Sequence, residues 1–296
     1  MRQSFAQYLE SVYPRLVTFR EGDDLPHAPS TRPQSLMFSF LGVYVLGRDV
    51  AVYSGSVIDV FARLGVTEEA VRSTLTRMVK RGLLARHRSG RRTYFGLTAH
   101  ATAVLDDGRR RMWETGAVNR DWDGAWTLVG FSLPDDRRAT RHDLRSQLSW
   151  AGFGLLQSGM WIAPGVKDVR AIVAELGLRE HVTVLTARAA GPTESADLVR
   201  KAFDTGQIAA RYHAFLDRWD VPDPQAALPD DLARQLLLHT DWLQLVRQDP
   251  HLPAEHLPPD WPAIRAEQVT RTLAGAYEQP ARELAAKVLD ELPVRA

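Results

Sequence analysis

A chain of 296 residues, 45% hydrophobic and 25% charged, exceeds what one core usually serves, so two or three globular domains are expected. No apolar run reaches the roughly 18–20 residues that cross a bilayer, and the first residues, acidic and polar, lack a signal peptide's apolar region, so a cytoplasmic protein is expected. Cysteine is absent, which excludes disulfides and thiolate metal sites, and the net charge is +1.

That charge is unevenly spread. Residues 33–97 carry ten Lys/Arg against four Asp/Glu, a net +6, and the rest carries 27 against 32, a net −5. A basic module on an acidic body suggests an anionic polymer as partner.

Residues 1–32 form a tail, with a short amphipathic piece around Phe5–Leu16 and the linker-like "REGDDLPHAPSTRP". From Ser35, "SLMFSFLGVYVLGR" is apolar almost all round and predicts a buried helix; "AVYSG" predicts a short strand. "SGSVIDVFARLG" predicts a second helix with Val57, Val60, Phe61 and Leu64 on one face and Gly65 as its stop. Thr67 is a good N-cap for a third helix, with Glu68 and Glu69 in the first turn. Val71, Leu75, Met78 and Val79 make its buried stripe and Gly82 ends it. Two strand-like runs follow, "LLARHR" and "RRTYFGL", joined by Ser89-Gly90 as a hairpin. Helix, strand, helix, helix, hairpin is a winged helix-turn-helix. "TAHATAVLDDGRRRMWE" predicts a linking helix to residue 117.

Residues 118–190 read strand ("AWTLVGFSL"), helix ("RRATRHDLRSQLSWAG"), two strands ("FGLLQSGMWIAP"), helix ("KDVRAIVAEL"), strand ("HVTVLTAR"). That β-α-β-β-α-β order predicts a ferredoxin-like domain. Residues 191–296 read as mostly helical, interrupted by proline-rich turns. The fold class is α+β, with the tail followed by three domains, 33–117, 118–190 and 191–296.

The third helix, Thr67–Arg81, spans about 22 Å at 1.5 Å per residue, enough to lie in a major groove. Arg72, Ser73, Thr76 and Arg77 are candidates to read base edges. Lys80 and Arg81 are candidates for phosphate, and Arg88, Arg91 and Arg92 for a minor groove or the adjacent backbone. The alternative is a solvated helix face beside a basic loop.

No HExxH, GxSxG, Walker A or EF-hand pattern is present. His251 and His256, His239 and Asp241, and His142 and Asp143 lack the neighbours that a metal or nucleophilic site needs, so no catalytic residue, metal or cofactor is assigned. Arg138, Arg141 and Arg145 fall at i, i+3, i+7 on one helix face, opposite Leu144 and Leu148. They fit either a surface stripe paired with acids or an anion site, for ligand phosphates or DNA. Trp126 and Trp161, among the aromatics of this segment, are core residues or the wall of an apolar pocket. These five residues are the candidate effector site.

"SLMFSFLGVYV", "GVTEEAVRSTLTRMVKRGLLARHRSGRRTYFGLT", the "GFG…G.WI.P" pattern at 152–164 and "DPHLPAEHLPPDWP" at 249–262 together resemble the PaaX-type repressors of phenylacetate catabolism. The resemblance covers most of residues 35–266 and not the tail. It implies a bacterial transcriptional repressor, a homodimer that binds double-stranded operator DNA and needs no membrane. It implies a central domain similar to the ferredoxin-like nuclease subunit of CRISPR adaptation, and release from DNA by an acyl-CoA such as phenylacetyl-CoA. The family's recognition segment matches 67–81 and its wing 83–97. Ala263 stands where the family usually has glycine, and Leu243-Gln244 where an arginine is expected, so effector or dimer contacts can differ. "GAWTLVG" offers no carboxylate for a metal, so no nuclease activity is expected. The rival reading is an enzyme acting on CoA esters or nucleic acid, with the basic module as anchor.

Overall fold

The computed structural model describes residues 32–294, so the short amphipathic piece expected around Phe5–Leu16 and most of the linker after it lie outside the described residues. Within that span the chain has ten α-helices and eight strands in two antiparallel sheets. It divides into two compact units. Among the described residues one comprises 117–212 and 247–264, the other 32–116, 213–246 and 265–294. The C-terminal stretch from 191 onward contributes to both.

The unit that holds the basic segment begins with α1 (Pro33–Tyr44), β1 (Val50–Tyr53), α2 (Ser54–Ala62) and α3 (Glu68–Lys80). It continues with β2 (Leu84–Ser89), β3 (Arg92–Leu97) and α4 (Ala99–Trp113). Leu36, Met37, Phe38, Phe40 and Leu41 of α1 are all buried, which matches a sequence apolar almost all round. The helix stops at Tyr44, earlier than expected, and the chain turns through Gly47 at φ 76°. A second layer covers α1: α9 (Asp231–Gln248), whose Thr240 hydroxyl donates to the Ser39 hydroxyl at 2.7 Å. Trp242 of α9 donates to the Met112 carbonyl of α4 at 3.2 Å.

The sheet of this unit has the order β2-β3-β1-β8. β1 pairs antiparallel with β3, Val52 opposite Phe95, and on its other edge with β8 (Glu291–Pro293), Ala51 opposite Leu292. The sequence from 191 onward reads as mostly helical, with no strand expected at its end. Three residues carry no periodicity, and β8 exists because β1 presents an open edge to it.

The other unit holds β4 (Trp126–Phe131), α5 (Arg138–Trp150), β5 (Gly154–Gln157), β6 (Met160–Pro164), α6 (Arg170–Glu175) and β7 (Val182–Ala187). The sheet order is β5-β6-β4-β7 and every neighbouring pair is antiparallel. Leu144 and Leu148 of α5, Ile172 of α6, Val129 of β4 and Trp161 of β6 share one core. α7 (Ser195–Ala202) follows, then α8 (Thr205–Trp219), and after α9 comes α10 (Pro262–Val288).

The two sequence patterns in this unit have structural explanations. Gly154 lies under the end of α7, where an added Cβ would stand 2.2 Å from the Ala202 carbonyl oxygen. Gly152 is at φ 84° and an added Cβ would touch Pro250. In the later pattern Asp249 accepts the Tyr212 hydroxyl and, at 2.6 Å, the His251 amide, while the His256 ring packs edge-on against Trp122 at 5.4 Å. Gly154→Ala is therefore expected to cost about 1–3 kcal/mol, since backbone cannot yield as a side chain does. An unchanged urea midpoint would show that α7 does not press on β5.

Candidate nucleic-acid interface

The geometry starts from the ends of α3. The Thr67 hydroxyl oxygen accepts the Ala70 amide at 3.3 Å, as its N-cap position predicts. At the other end Gly82 takes φ 68°, its amide reaches the Val79 carbonyl and the Leu83 amide reaches the Met78 carbonyl, both at 3.0 Å. This pair of bonds is the Schellman closure that a C-terminal glycine permits.

Between those ends the helix has two faces. The buried one is Val71, Thr74, Leu75 and Met78. Val79, expected in that stripe, is only half-buried, and Thr74, which is outside the expected stripe, is fully buried. The outward face brings Glu68, Glu69, Arg72, Ser73, Thr76, Arg77 and Lys80 onto one continuous surface. Arg72, Ser73, Arg77 and Lys80 are exposed and Thr76 half-buried. Arg72 is held by Glu68 at 2.6 Å, an exposed i, i+4 pair of the kind worth less than about 1 kcal/mol. Arg77 donates through its terminal Nη2 to the Thr74 hydroxyl oxygen at 3.1 Å, so one arm of its fork rests on the helix's own surface. Arg81 is half-buried at the helix end, where burial first and the charge of Arg77 second lower its basicity.

β2 and β3 form the hairpin, but the turn is shifted by one residue from the expected Ser89-Gly90. Ser89 pairs with Arg92, so the two turn residues are Gly90 and Arg91. Gly90 takes φ 58° and Arg91 is not among the positive-φ residues, the pattern of a turn that needs glycine first. Arg91 thus sits at the tip, with Arg88 exposed beside it. Arg86, not singled out in the sequence, is also exposed and lies on the same strand face as Arg88, two residues away. Arg92 differs. Its guanidinium lies 5.1 Å from the Tyr53 ring centre and pairs with the Asp290 carboxylate just before β8.

The five candidate effector residues are not brought together. Arg138 and Arg145 are exposed, whereas Arg141 donates to the Leu133 carbonyl at 2.7 Å and so braces the loop after β4. Trp161 is paired across the sheet with Val129 and lies in the core beneath α5. Trp126, three residues before Val129 on the same strand, faces the opposite side. It is 1% exposed and meets Trp122 edge-on at 5.0 Å.

His239 and Asp241 turn to different partners. Asp241 accepts the Trp219 indole N–H at 2.9 Å and pairs with Arg218, while the ring of His239 meets Trp113. Among the described residues no group of three or more His, Asp or Glu is placed to hold a metal, and no helix is long and apolar enough to cross a membrane.

Three family models match consecutive parts of the chain: the PaaX-like protein at 32–101, the PaaX protein central Cas2-like domain at 119–199, and the PaaX-like protein C-terminal domain at 203–287. The chain belongs to the PaaX family. The first PaaX model spans α1 to the start of α4, and so contains the whole basic face described above. The transcriptional repressor PaaX of Escherichia coli K12 is 29% identical over 261 residues, 83% of this chain and 81% of that protein. A solved structure of an uncharacterized protein from Mycobacterium tuberculosis is similar with a TM-score of 0.59 and 25% identity, over 87% of this chain and all of the other.

Proposed function

We propose that this protein is a DNA-binding transcriptional repressor of a phenylacetate-type aromatic catabolic pathway. The observation that carries the reading is the outward face of α3. It is capped at both ends, apolar on its inner side only, and lines up Arg72, Ser73, Thr76, Arg77 and Lys80 beside a hairpin tipped by Arg88 and Arg91. The segment from α1 to α4 then works as a winged helix-turn-helix, with α3 in the major groove and the hairpin as wing. The β4–β7 unit is its ferredoxin-like companion, as its strand order supports.

Phosphate contacts supply most of the affinity and the α3 side chains the sequence preference. Two copies, joined as a homodimer, place two α3 helices about 34 Å apart on a palindromic operator. An acyl-CoA such as phenylacetyl-CoA lifts repression by binding the DNA-incompetent arrangement more tightly than the competent one. The curated relative's description as a repressor supports the reading.

The test is a fluorescence-anisotropy titration against the DNA upstream of its own gene, with and without phenylacetyl-CoA. A salt-sensitive specific complex that the thioester dissolves is the expected result. No complex at moderate salt overturns the repressor reading and returns attention to the enzyme alternative.

A further inference from the structure

Outside the basic face, the unit that carries α3 holds a cleft of about 940 Å³. Every residue that lines it belongs to this one unit. Its size falls near the upper end of the roughly 300–1,000 Å³ typical of small-molecule sites. The walls are the end of α1, the end of α4, the middle of α9 and one long face of α10.

Three features of the lining point to a ligand. The first is His239, which is 8% exposed and whose Nε2 has no hydrogen-bond partner among the described residues. Burial pushes its imidazole down to about 4, so it is neutral at pH 7. A buried polar nitrogen left unpaired costs free energy that a ligand atom can recover. The second is three arginines, Arg48, Arg271 and Arg282, against two lining carboxylates, Glu278 and Glu291.

Each arginine rests on a carboxylate, and Arg48 and Arg271 also donate to the Tyr44 and Trp113 carbonyls at 2.9 and 3.0 Å. Arg48 grips Glu291 through two bonds of 2.7 and 2.6 Å, Arg282 meets Glu278 at 2.5 Å and Arg271 meets Glu267 at 2.9 Å. All three guanidiniums are about half exposed or more, so these pairs are cheap to exchange for a ligand anion. The third feature is apolar surface, chiefly the Trp113 ring and buried Tyr44, whose hydroxyl is already committed to Gln235 at 2.6 Å.

We propose that this cleft binds a small organic anion with an aromatic or acyl body, its negative group on Arg48 and Arg282, a polar atom on His239 Nε2 and its apolar part against Trp113 and Tyr44. This inference rests on the repressor reading only for its consequence. Leu289 and Glu291 line the cleft, and the residue between them, Asp290, holds Arg92 and Tyr94 of the hairpin. A ligand that draws Arg48 off Glu291 therefore acts on the segment that pairs with β1 and anchors the hairpin. The free acid and its thioester share the required chemistry: the carboxylate or the coenzyme phosphates supply the charge, and the aryl group the apolar body.

The experiment is isothermal titration calorimetry of the full chain with phenylacetate, phenylacetyl-CoA and coenzyme A as separate probes. Binding of one of the two aryl probes is expected, and which one identifies the source of the anion. Gly275→Phe should then weaken that binding at least about tenfold. An added Cβ at Gly275 meets nothing within 4 Å, so the ring fills the cleft without disturbing α10, and thermal midpoint and ligand-free operator binding should stay those of the wild type. His239→Leu should weaken binding too, by removing the nitrogen while keeping the volume. No binding of either aryl probe up to roughly 1 mM overturns the proposal, as does wild-type affinity in both variants. Loss of operator binding by the wild type would count against the repressor reading alone, because calorimetry reads the cleft without DNA.

Discussion

Arg77→Ala weakens operator binding by about 1–3 kcal/mol, roughly 5- to 150-fold, with the loss concentrated at one base pair. The side chain is exposed at the centre of the outward face, one turn from Ser73 and close to Thr76. Its Nη2 bond to the Thr74 hydroxyl oxygen holds the guanidinium against α3, so less rotamer freedom remains to be lost on binding. A fork held in that way suits the paired acceptors of a guanine edge. The measurement is a titration against the operator and a set of single-base variants. The wild type should discriminate at one position where the Arg77→Ala protein does not.

Arg91→Ala provides the contrast. At the tip of the hairpin it should lose affinity for all sequences alike and reduce the slope of log affinity against log salt by about 0.9. If Arg77→Ala behaves like Arg91→Ala, with a smaller salt slope and no change in preference, Arg77 contacts phosphate and the assignment to bases fails.

The second large effect is on folding. Trp242→Ala costs about 3–5 kcal/mol in the unit that carries α3. Trp242 is 1% exposed, its ring lies 5.7 Å from Phe215, and its indole N–H serves the Met112 carbonyl at the end of α4. The substitution leaves a cavity and a buried carbonyl without its donor. Because α9 also carries the Thr240 contact to Ser39 of α1, the loss falls on α1 and α4 and not on the C-terminal helices alone. Calorimetry should show the transition that protects operator binding moved down by several degrees. A midpoint within a degree of the wild type would mean that α9 is not part of the same cooperative unit.

Much of the interface was legible in the sequence because its signals are local. The Thr67 cap, the Gly82 stop and the inward Val71, Leu75 and Met78 follow from helix geometry alone, and the structure keeps them. The hairpin was legible to within one residue. A glycine next to a serine marks the turn, but which of the two opens it depends on the pairing of Ser89 with Arg92. Thr74 falls outside the apolar stripe and yet is buried, because its hydroxyl oxygen accepts an Arg77 N–H.

The arginine spacing on α5 is real, but spacing cannot tell a free guanidinium from one bound to a backbone carbonyl, as Arg141 is. Composition, periodicity and capping by themselves determined that this protein has a basic helix followed by a basic hairpin, on a body of mixed helices and strands. Only the tertiary structure decided that β8 closes the sheet beside β1. It also decided that Arg92 is held by Asp290 and that Arg48, His239, Arg271 and Arg282 line one cleft. The first set rests on neighbours within one turn or one hairpin. The second joins residues up to about 240 positions apart, and no local pattern encodes which distant chain will arrive to cover an open edge or a buried nitrogen.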